Sequence, residues 1–283
     1  MEARSHAVLD AAYREGIRYF DAARSYGRAE HFVASWLEAR ALAPRAVTVG
    51  SKWGYTYVGH WRMDADVHEV KDHTADALRR QYAQSKDVLG EHLSLYQIHS
   101  ATTDTGVLED KGVLAELAAI AAAGTAVGLS LSGPRQAQAL RVAMDAEVDG
   151  VNPFSCVQAT FNLLEPSVGG ALRDARAVGW GVIVKEALGN GRLTTHERAT
   201  SHGAALARVA RRHDVAVDAV AMAWALSRSG AHVVLSGAVT PEQLESNVAS
   251  LGVSLGSEDV AVLDGLAEPV EAYWAARKTL SWA

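Results

Sequence analysis

The feature that most constrains this chain is a rhythm: short apolar runs alternate with longer, alanine-rich amphipathic stretches at fairly even intervals. The runs at 18–21, 47–52, 95–99, 127–131, 156–159, 181–184 and 232–235 read as seven strands, and the stretches at 75–89, 112–123, 134–143, 168–178, 204–212 and 217–227 read as helices. In the last of these, Val217, Val220, Ala221 and Trp224 are spaced to line one helical face. Pro134 follows Gly133 at a helix start, and Gly124 and Gly179 follow helices where C-terminal caps belong. Strands this apolar cannot leave one face in water, so the expectation is a parallel sheet covered by helices. No stretch rich in Pro, Gly and Ser divides the chain, which is therefore expected to form one domain over residues 1–283, with a C-terminal tail from about 269 to 283.

A barrel and a doubly wound sheet both satisfy this rhythm, and their phosphate-binding signals separate them. An open nucleotide-binding sheet carries G-x-G-x-x-G between its first strand and helix, and no such pattern follows an early strand here. A barrel gathers ligands at the C-terminal ends of its strands, often with phosphate near the last two. That is where Gly189 and Gly237 stand.

Composition narrows the function. Hydrophobic residues are 49% and charged residues 21%, and mean hydropathy is −0.01, which excludes disordered and fibrous classes. A formal charge of −6 from 27 basic and 33 acidic residues, with no block of like charge, argues against a grip on nucleic acid or an anionic membrane. The sequence has neither a signal-peptide pattern nor an apolar span long enough to cross a bilayer. The charge balance leaves a small molecule or a protein as the expected partner, and the single cysteine, Cys156, can form no internal disulfide, so the expected compartment is the reducing cytoplasm.

The informative residues are ionisable groups placed where apolar strands finish. Asp21 closes one run, Lys52 the next and His99 the third, while Tyr26 follows Asp21 by five residues in a turn marked by Gly27. Any one of them alone reads as a cap, a loop residue or a structural hydrogen-bond partner, but in a barrel all four converge on one mouth. Their chemistry is complementary. A tyrosine hydroxyl titrates near pH ~10 and gains as a proton donor from a neighbouring cation. Lys52 supplies that cation, Asp21 holds it charged, and His99 can direct an N–H at a carbonyl oxygen. Such a set polarises and protonates a carbonyl as it receives a hydride.

These residues make the chain resemble an aldo-keto reductase. The match is carried by the segment 16–23 with Ser25-Tyr26-Gly27, by Ser51-Lys52 and by the segment 95–99, and it continues in Val157-Gln158-Ala159 with Asn162-Leu163-Leu164. Gly191-Arg192-Leu193, Gly237-Ala238, the segment 241–244 and Asn247 extend it over about residues 6–268. The resemblance implies a (β/α)8 TIM-type barrel that transfers a hydride between nicotinamide, as NADP or NAD, and a carbonyl or alcohol carbon of an aldehyde, ketone or aldose. It implies Tyr26 as general acid, Lys52 and Asp21 as its tuning pair, and His99 as the residue that orients substrate. It further implies Ser130 and Gln158 at the nicotinamide carboxamide, Leu188, Gly189 and Asn190 along the pyrophosphate, and Gly237, Thr240, Gln243 and Asn247 toward the adenosine end.

Departures from the family pattern carry expectations of their own. The chain begins in the helix that follows the family's first strand, so the barrel is expected to lack the usual N-terminal hairpin and first strand. Seven strands leave an edge unpaired or borrowing a partner, which makes a homo-oligomer an expectation. Lys185 stands where the family stacks an aromatic on the nicotinamide, beside Glu186. Gly237, Val239 and Gln243 replace basic residues that commonly hold a 2′-phosphate, leaving NAD open beside NADP.

For substrate, Trp53 and Tyr55 follow Lys52 closely, with Tyr57 and Trp61 beyond and Tyr273, Trp274 and Trp282 in the tail, where aromatics beside polar groups suit a sugar ring or an aryl carbonyl. Rim packing explains Trp53 and Trp274 equally well. His60, His68 and His73 among acidic residues match no strong metal motif, and no metal is expected. Two other readings stay open: a barrel that keeps the tetrad as a nucleotide-binding or regulatory subunit, and a lyase or isomerase that uses Tyr26 and Lys52 without net redox.

Overall fold

A computed structural model describes residues 1–59, 67–194 and 201–280. Trp61, Trp282 and His60 fall outside the described residues. The main sheet has seven parallel strands: β1 (Tyr19–Asp21), β2 (Thr48–Trp53), β5 (Leu93–Ala101), β6 (Ala126–Leu131), β7 (Cys156–Thr160), β8 (Gly181–Lys185) and β9 (Val233–Val234). They pair in that order into a nearly closed (β/α) barrel whose edge strands are β1 and β9. Each coincides with a run expected from the sequence.

Helix α1 (Glu2–Arg14) leads into β1, and α2 (Ala29–Ala39), α3 (Ala75–Leu89), α4 (Lys111–Ala122), α5 (Gln136–Met144), α6 (Gly169–Ala177), α7 (Ser201–His213) and α8 (Val217–Ser229) connect the strands. The short α9 (Pro241–Val248) and α10 (Ser257–Asp264) and the C-terminal α11 (Val270–Thr279) follow β9. Local chemistry sets the helix ends. Thr74 Oγ1 accepts from Ala77 N at 3.2 Å at the start of α3, Asp110 Oδ1 accepts from Gly112 N and Val113 N at 2.8 and 3.0 Å at the start of α4, and Pro241 occupies the first turn of α9 behind Thr240. Pro134 lies just before its helix, which begins at Gln136. In α8, burial extends without a break over residues 219–225, so the helix has no single apolar face and is instead enclosed by α6, α7, α9 and β9.

Alternation along the strands divides the interior in two. Phe20, Val49, Tyr96, Ile98, Leu129, Val157 and Val184 point at the helices and join one contiguous core that includes Ala11 at one end of the chain and Trp274 at the other. Leu95, Cys156 and Ile183, with Tyr19, Val233 and Leu235, form a separate cluster within the barrel. Above that cluster the same inward faces carry Asp21, Lys52, Gln97, His99, Ser130, Gln158, Thr160 and Lys185. Gly50 lies against Tyr19, and a Cβ there would collide with the tyrosine hydroxyl.

A two-stranded antiparallel hairpin, β3 (Tyr55–Tyr57) and β4 (Glu69–Lys71), leaves the end of β2. No described helix is long and apolar enough to cross a membrane.

Candidate active site

Parallel strands put their C-terminal ends on one side of the barrel, so Asp21 at the end of β1, Lys52 in β2 and His99 in β5 meet there. The turn after β1, in which Gly27 takes the left-handed φ of 59°, returns Tyr26 over the same end. The ammonium of Lys52 is fully buried, donates to Asp21 Oδ2 and to the Ala22 carbonyl at 2.9 Å, and lies 5.0 Å from the centroid of the Tyr26 ring. Burial alone pushes the Lys52 pKa down; the Asp21 carboxylate, the Tyr26 hydroxyl and their hydrogen bonds outweigh it, and the net direction is up. Asp21 is fixed from its other oxygen, which accepts from Tyr19 Oη and Gln158 Nε2, both at 3.0 Å.

Tyr26 is 45% exposed, with its hydroxyl 3.4 Å from His99 Nε2. Desolvation around that hydroxyl raises its pKa; Lys52 pulls it down, as the sequence suggests, but does not win. The phenol therefore keeps its proton at neutral pH and is a loaded donor. The His99 ring has its pKa held well below the usual value, first by burial and then by the charges of Lys52 and Lys185, so it is neutral and can donate from one nitrogen. Its Nδ1 is 3.5 Å from Ser25 Oγ. A carbonyl oxygen placed between Tyr26 and His99 would meet two groups able to donate.

An aromatic wall closes one side. Tyr55 meets the His99 ring edge-on at 5.0 Å, and His73 Nε2 bonds the His99 carbonyl at 2.9 Å. Trp53 corrects an expectation. Lys52 points into the barrel, so its neighbour Trp53 points the other way, is 0% exposed and packs on His73 at 5.6 Å, forming part of the wall behind the substrate space. Tyr273 and Trp274 are likewise buried. Ser25, His73, Glu69 and Lys71 belong to this site and carry no strand-end signal in the sequence; the turn after β1 and the β3–β4 hairpin deliver them. His68 lies on the hairpin approach, and no three His, Cys, Asp or Glu side chains among the described residues are grouped to hold a metal ion.

Ser130 and Gln158 are both buried on inward faces. Gln158 is tied to Asp21, while Ser130 Oγ accepts from Ser100 N at 2.9 Å and supports the left-handed turn of Ser100 (φ 54°) where β5 bulges. Leu188, Gly189, Asn190 and Gly191 form the loop after β8; the last three have φ of 55°, 56° and 90°, and Asn190 is exposed. After β9, Gly237 is exposed with open space where a Cβ would stand, and Thr240 caps α9 by accepting from Gln243 N at 3.3 Å. Gln243 Oε1 accepts from Val239 N at 2.9 Å. Asn247 donates to Ser236 Oγ at 2.8 Å, and its Oδ1 is buried with no protein partner. An open, left-handed loop after one strand, a helix N-terminus after the next and an orphaned amide oxygen beside it suit a dinucleotide laid across the ends of β8 and β9.

Residues 2–268 match the model of the aldo/keto reductase family. The chain is 26% identical over 294 residues to an aldo-keto reductase, str7, of Strobilurus tenacellus, covering 93% of this chain and 81% of that protein. It is 25% identical to pyridoxal 4-dehydrogenase of Microbacterium luteolum, over 90% of this chain and 86% of the relative. Among solved structures, a glycerol dehydrogenase from Gluconobacter oxydans superposes with a TM-score of 0.72 at 22% identity, covering 92% of this chain and 84% of that one. The holo form of an aldo-keto reductase from Bacillus halodurans gives 0.71 at 16% identity, covering 95% and 88%.

Proposed function

Because the chain belongs to the aldo/keto reductase family of NAD(P)-dependent oxidoreductases, we propose that it moves a hydride between nicotinamide and the carbonyl or alcohol carbon of a small molecule, with Tyr26 as the proton donor. The observation that carries this reading is the convergence of a protonated Tyr26, a matched Lys52–Asp21 pair and a neutral His99 on one barrel mouth. When bound, the dinucleotide supplies or accepts the hydride. Ser130, Gln158, Leu188, Gly189, Asn190, Gly237, Thr240, Gln243 and Asn247 are the residues we assign to holding it.

In the reducing direction, Tyr26 Oη passes its proton to the carbonyl oxygen as negative charge develops there, and the Lys52 ammonium stabilises the phenolate left behind. Asp21 keeps Lys52 charged and in place. His99 orients the carbonyl through a ring N–H, and Tyr55 walls the space with a face suited to a sugar or aryl group. The names of the relatives, a pyridoxal 4-dehydrogenase and a glycerol dehydrogenase, support chemistry at a hydroxyl or carbonyl carbon of a small polar molecule.

Replacing Tyr26 by Phe removes the transferable proton and little else. kcat/KM is expected to fall by about 10²- to 10⁴-fold, with the dissociation constant for NADH unchanged within about threefold. Full turnover by Tyr26→Phe overturns the assignment, and cofactor binding by the wild type without turnover on any carbonyl favours a regulatory subunit.

A further inference from the structure

The mouth of the barrel holds one more positive charge than its own carboxylates can match. Alternation with Ile183 turns Lys185 inward at the C-terminal end of β8, in register with Thr160 of β7. Its ammonium donates to Thr160 Oγ1 at 2.8 Å, a neutral oxygen, and stands 3.5 Å from Glu186 Oε1. Glu186 is already engaged: its backbone is left-handed (φ 56°), and its carboxylate accepts from Arg277 Nε at 3.1 and 3.2 Å and from Arg277 Nη2 at 2.8 Å. Two cations therefore share one carboxylate, and the third N–H of Lys185 has no partner among the described residues.

The rest of the chamber does not correct the imbalance. Asp21 is taken by Lys52, and Lys71 on β4 donates to the neutral Ser100 carbonyl at 2.9 Å while lying 5.2 Å from the Tyr55 ring centroid. Among the described residues, Lys52, Lys71, Lys185 and Arg277 face Asp21, Glu69 and Glu186. The charges of Lys185, Lys71 and Lys52 all reach His99, and that of Glu186 reaches Tyr26, so these groups surround the same reaction space. Burial pushes the Lys185 pKa down and Glu186 only partly restores it; in Lys52, whose counter-ion is close, the balance goes the other way.

We propose that Lys185 is an anion-binding residue of the reaction chamber, and that the substrate is a carbonyl compound, or the matching alcohol, bearing a carboxylate. This rests on the hydride-transfer reading and adds the substrate class to it. One uncompensated ammonium matches a monoanion, whereas a dianionic phosphate would turn the excess positive charge into an excess of negative charge. A carboxylate docked on the free N–H gains a charge-assisted hydrogen bond in a partly desolvated site, and it anchors the substrate through a group remote from the reacting carbon.

The test uses the full chain with NADH and NADPH on matched pairs: glyoxylate against glycolaldehyde, and succinic semialdehyde against butanal. For at least one pair the acid is expected to lead in kcat/KM by tenfold or more, mostly through KM. In Lys185→Met and Lys185→Gln that ratio falls toward one, and Lys185→Arg keeps most of it. Circular dichroism and thermal unfolding of each variant exclude loss of fold as the cause. Measurable turnover with no preference for either acid, or a preference that survives Lys185→Met, overturns the proposal and leaves the hydride-transfer reading standing. So does a Lys185→Met variant whose only change is weaker NADH binding, which makes Lys185 a cofactor residue. If no carbonyl is turned over, the hydride-transfer reading has failed, and calorimetric titration with butanoate decides alone. Binding by wild type that is lost in Lys185→Met supports an anion site, and equal or absent binding overturns it.

Discussion

His73 shows how one side chain can couple the site to pH. Its Nε2 is bonded to the His99 carbonyl at 2.9 Å and its Nδ1 is buried without a partner, so the neutral ring fits this position and the imidazolium does not. Burial, reinforced by Lys71, moves its pKa from the ordinary 6.5 to about 4. Because the folded-state pKa is depressed, the unfolded chain takes up this proton first, so stability is undiminished above pH 6.5 and is lost progressively as the pH falls toward 4. A shift of that size corresponds to at most about 3 kcal/mol. In urea titrations at pH 7.5, 5.5 and 4.5, His73→Gln should lose less stability on acidification than wild type. Parallel losses would show that His73 does not bear the acid sensitivity. The same residue marks the limit of what single positions reveal in sequence. Asp21, Lys52 and His99 stand out because each ends an apolar run, and Tyr26 because it follows one in a glycine turn. His73 and Glu69 have no such marker, since their role depends on a hairpin that folds back over the strand ends. Trp53 is visible in sequence but faces away from the substrate space, because alternation with Lys52 turns its indole toward the helices.

At the scale of elements, the turn that carries Tyr26 is anchored by a buried carboxylate. Glu30 in α2 is 2% exposed; it is ion-paired with Arg24, and its Oε1 accepts from Ser51 Oγ of β2 at 2.5 Å and Ser85 Oγ of α3 at 2.7 Å. Arg24 N also donates to the Lys52 carbonyl at 3.0 Å, which ties the turn to the catalytic strand. Removing the carboxylate leaves a cation and two hydroxyls unmatched inside the protein. Glu30→Ala is therefore expected to cost about 2–4 kcal/mol in urea unfolding, and Glu30→Gln, which keeps the shape and one acceptor, less than half of that. A loss below about 1 kcal/mol for the alanine variant would mean that the network adds nothing net. Long helices and parallel strands are legible because their periods persist for several repeats. The three-residue strands β3 and β4 are not, since so short a segment offers no alternation to detect. In α8 the expected stripe is real but incomplete: Ala219, Met222 and Ala223 are buried on the other faces, where neighbouring helices also pack.

For the whole molecule, the barrel follows from repetition, because apolar parallel strands with helices between them must have both faces of their sheet covered. We propose that cofactor choice is set by what lies at the ends of its last two strands. Between Gly237 and Asn247 there is no Lys or Arg, while Glu242 and Glu245 add negative charge; the backbone amide and Thr240 hold the Glu242 carboxyl below its usual pKa, so it stays ionised at the start of α9. A 2′-phosphate brought to that helix end would lose its cationic partners and meet a like charge, whereas the two hydroxyls of NADH lose nothing. Binding to the folded state alone stabilises it by about 2.7 kcal/mol at a ligand concentration 100 times the dissociation constant. For a chain of this size that raises Tm by roughly 4–5 °C, and a tenfold weaker ligand at the same concentration gives up about half of the gain. NADH should therefore shift the melting temperature visibly more than NADPH at equal concentration. Glu242→Lys, an exposed substitution on α9, should narrow or reverse the difference while leaving the Tm of the free protein nearly unchanged. Equal shifts for the two nucleotides in the wild type would place the 2′-phosphate away from α9 and end the preference for NADH.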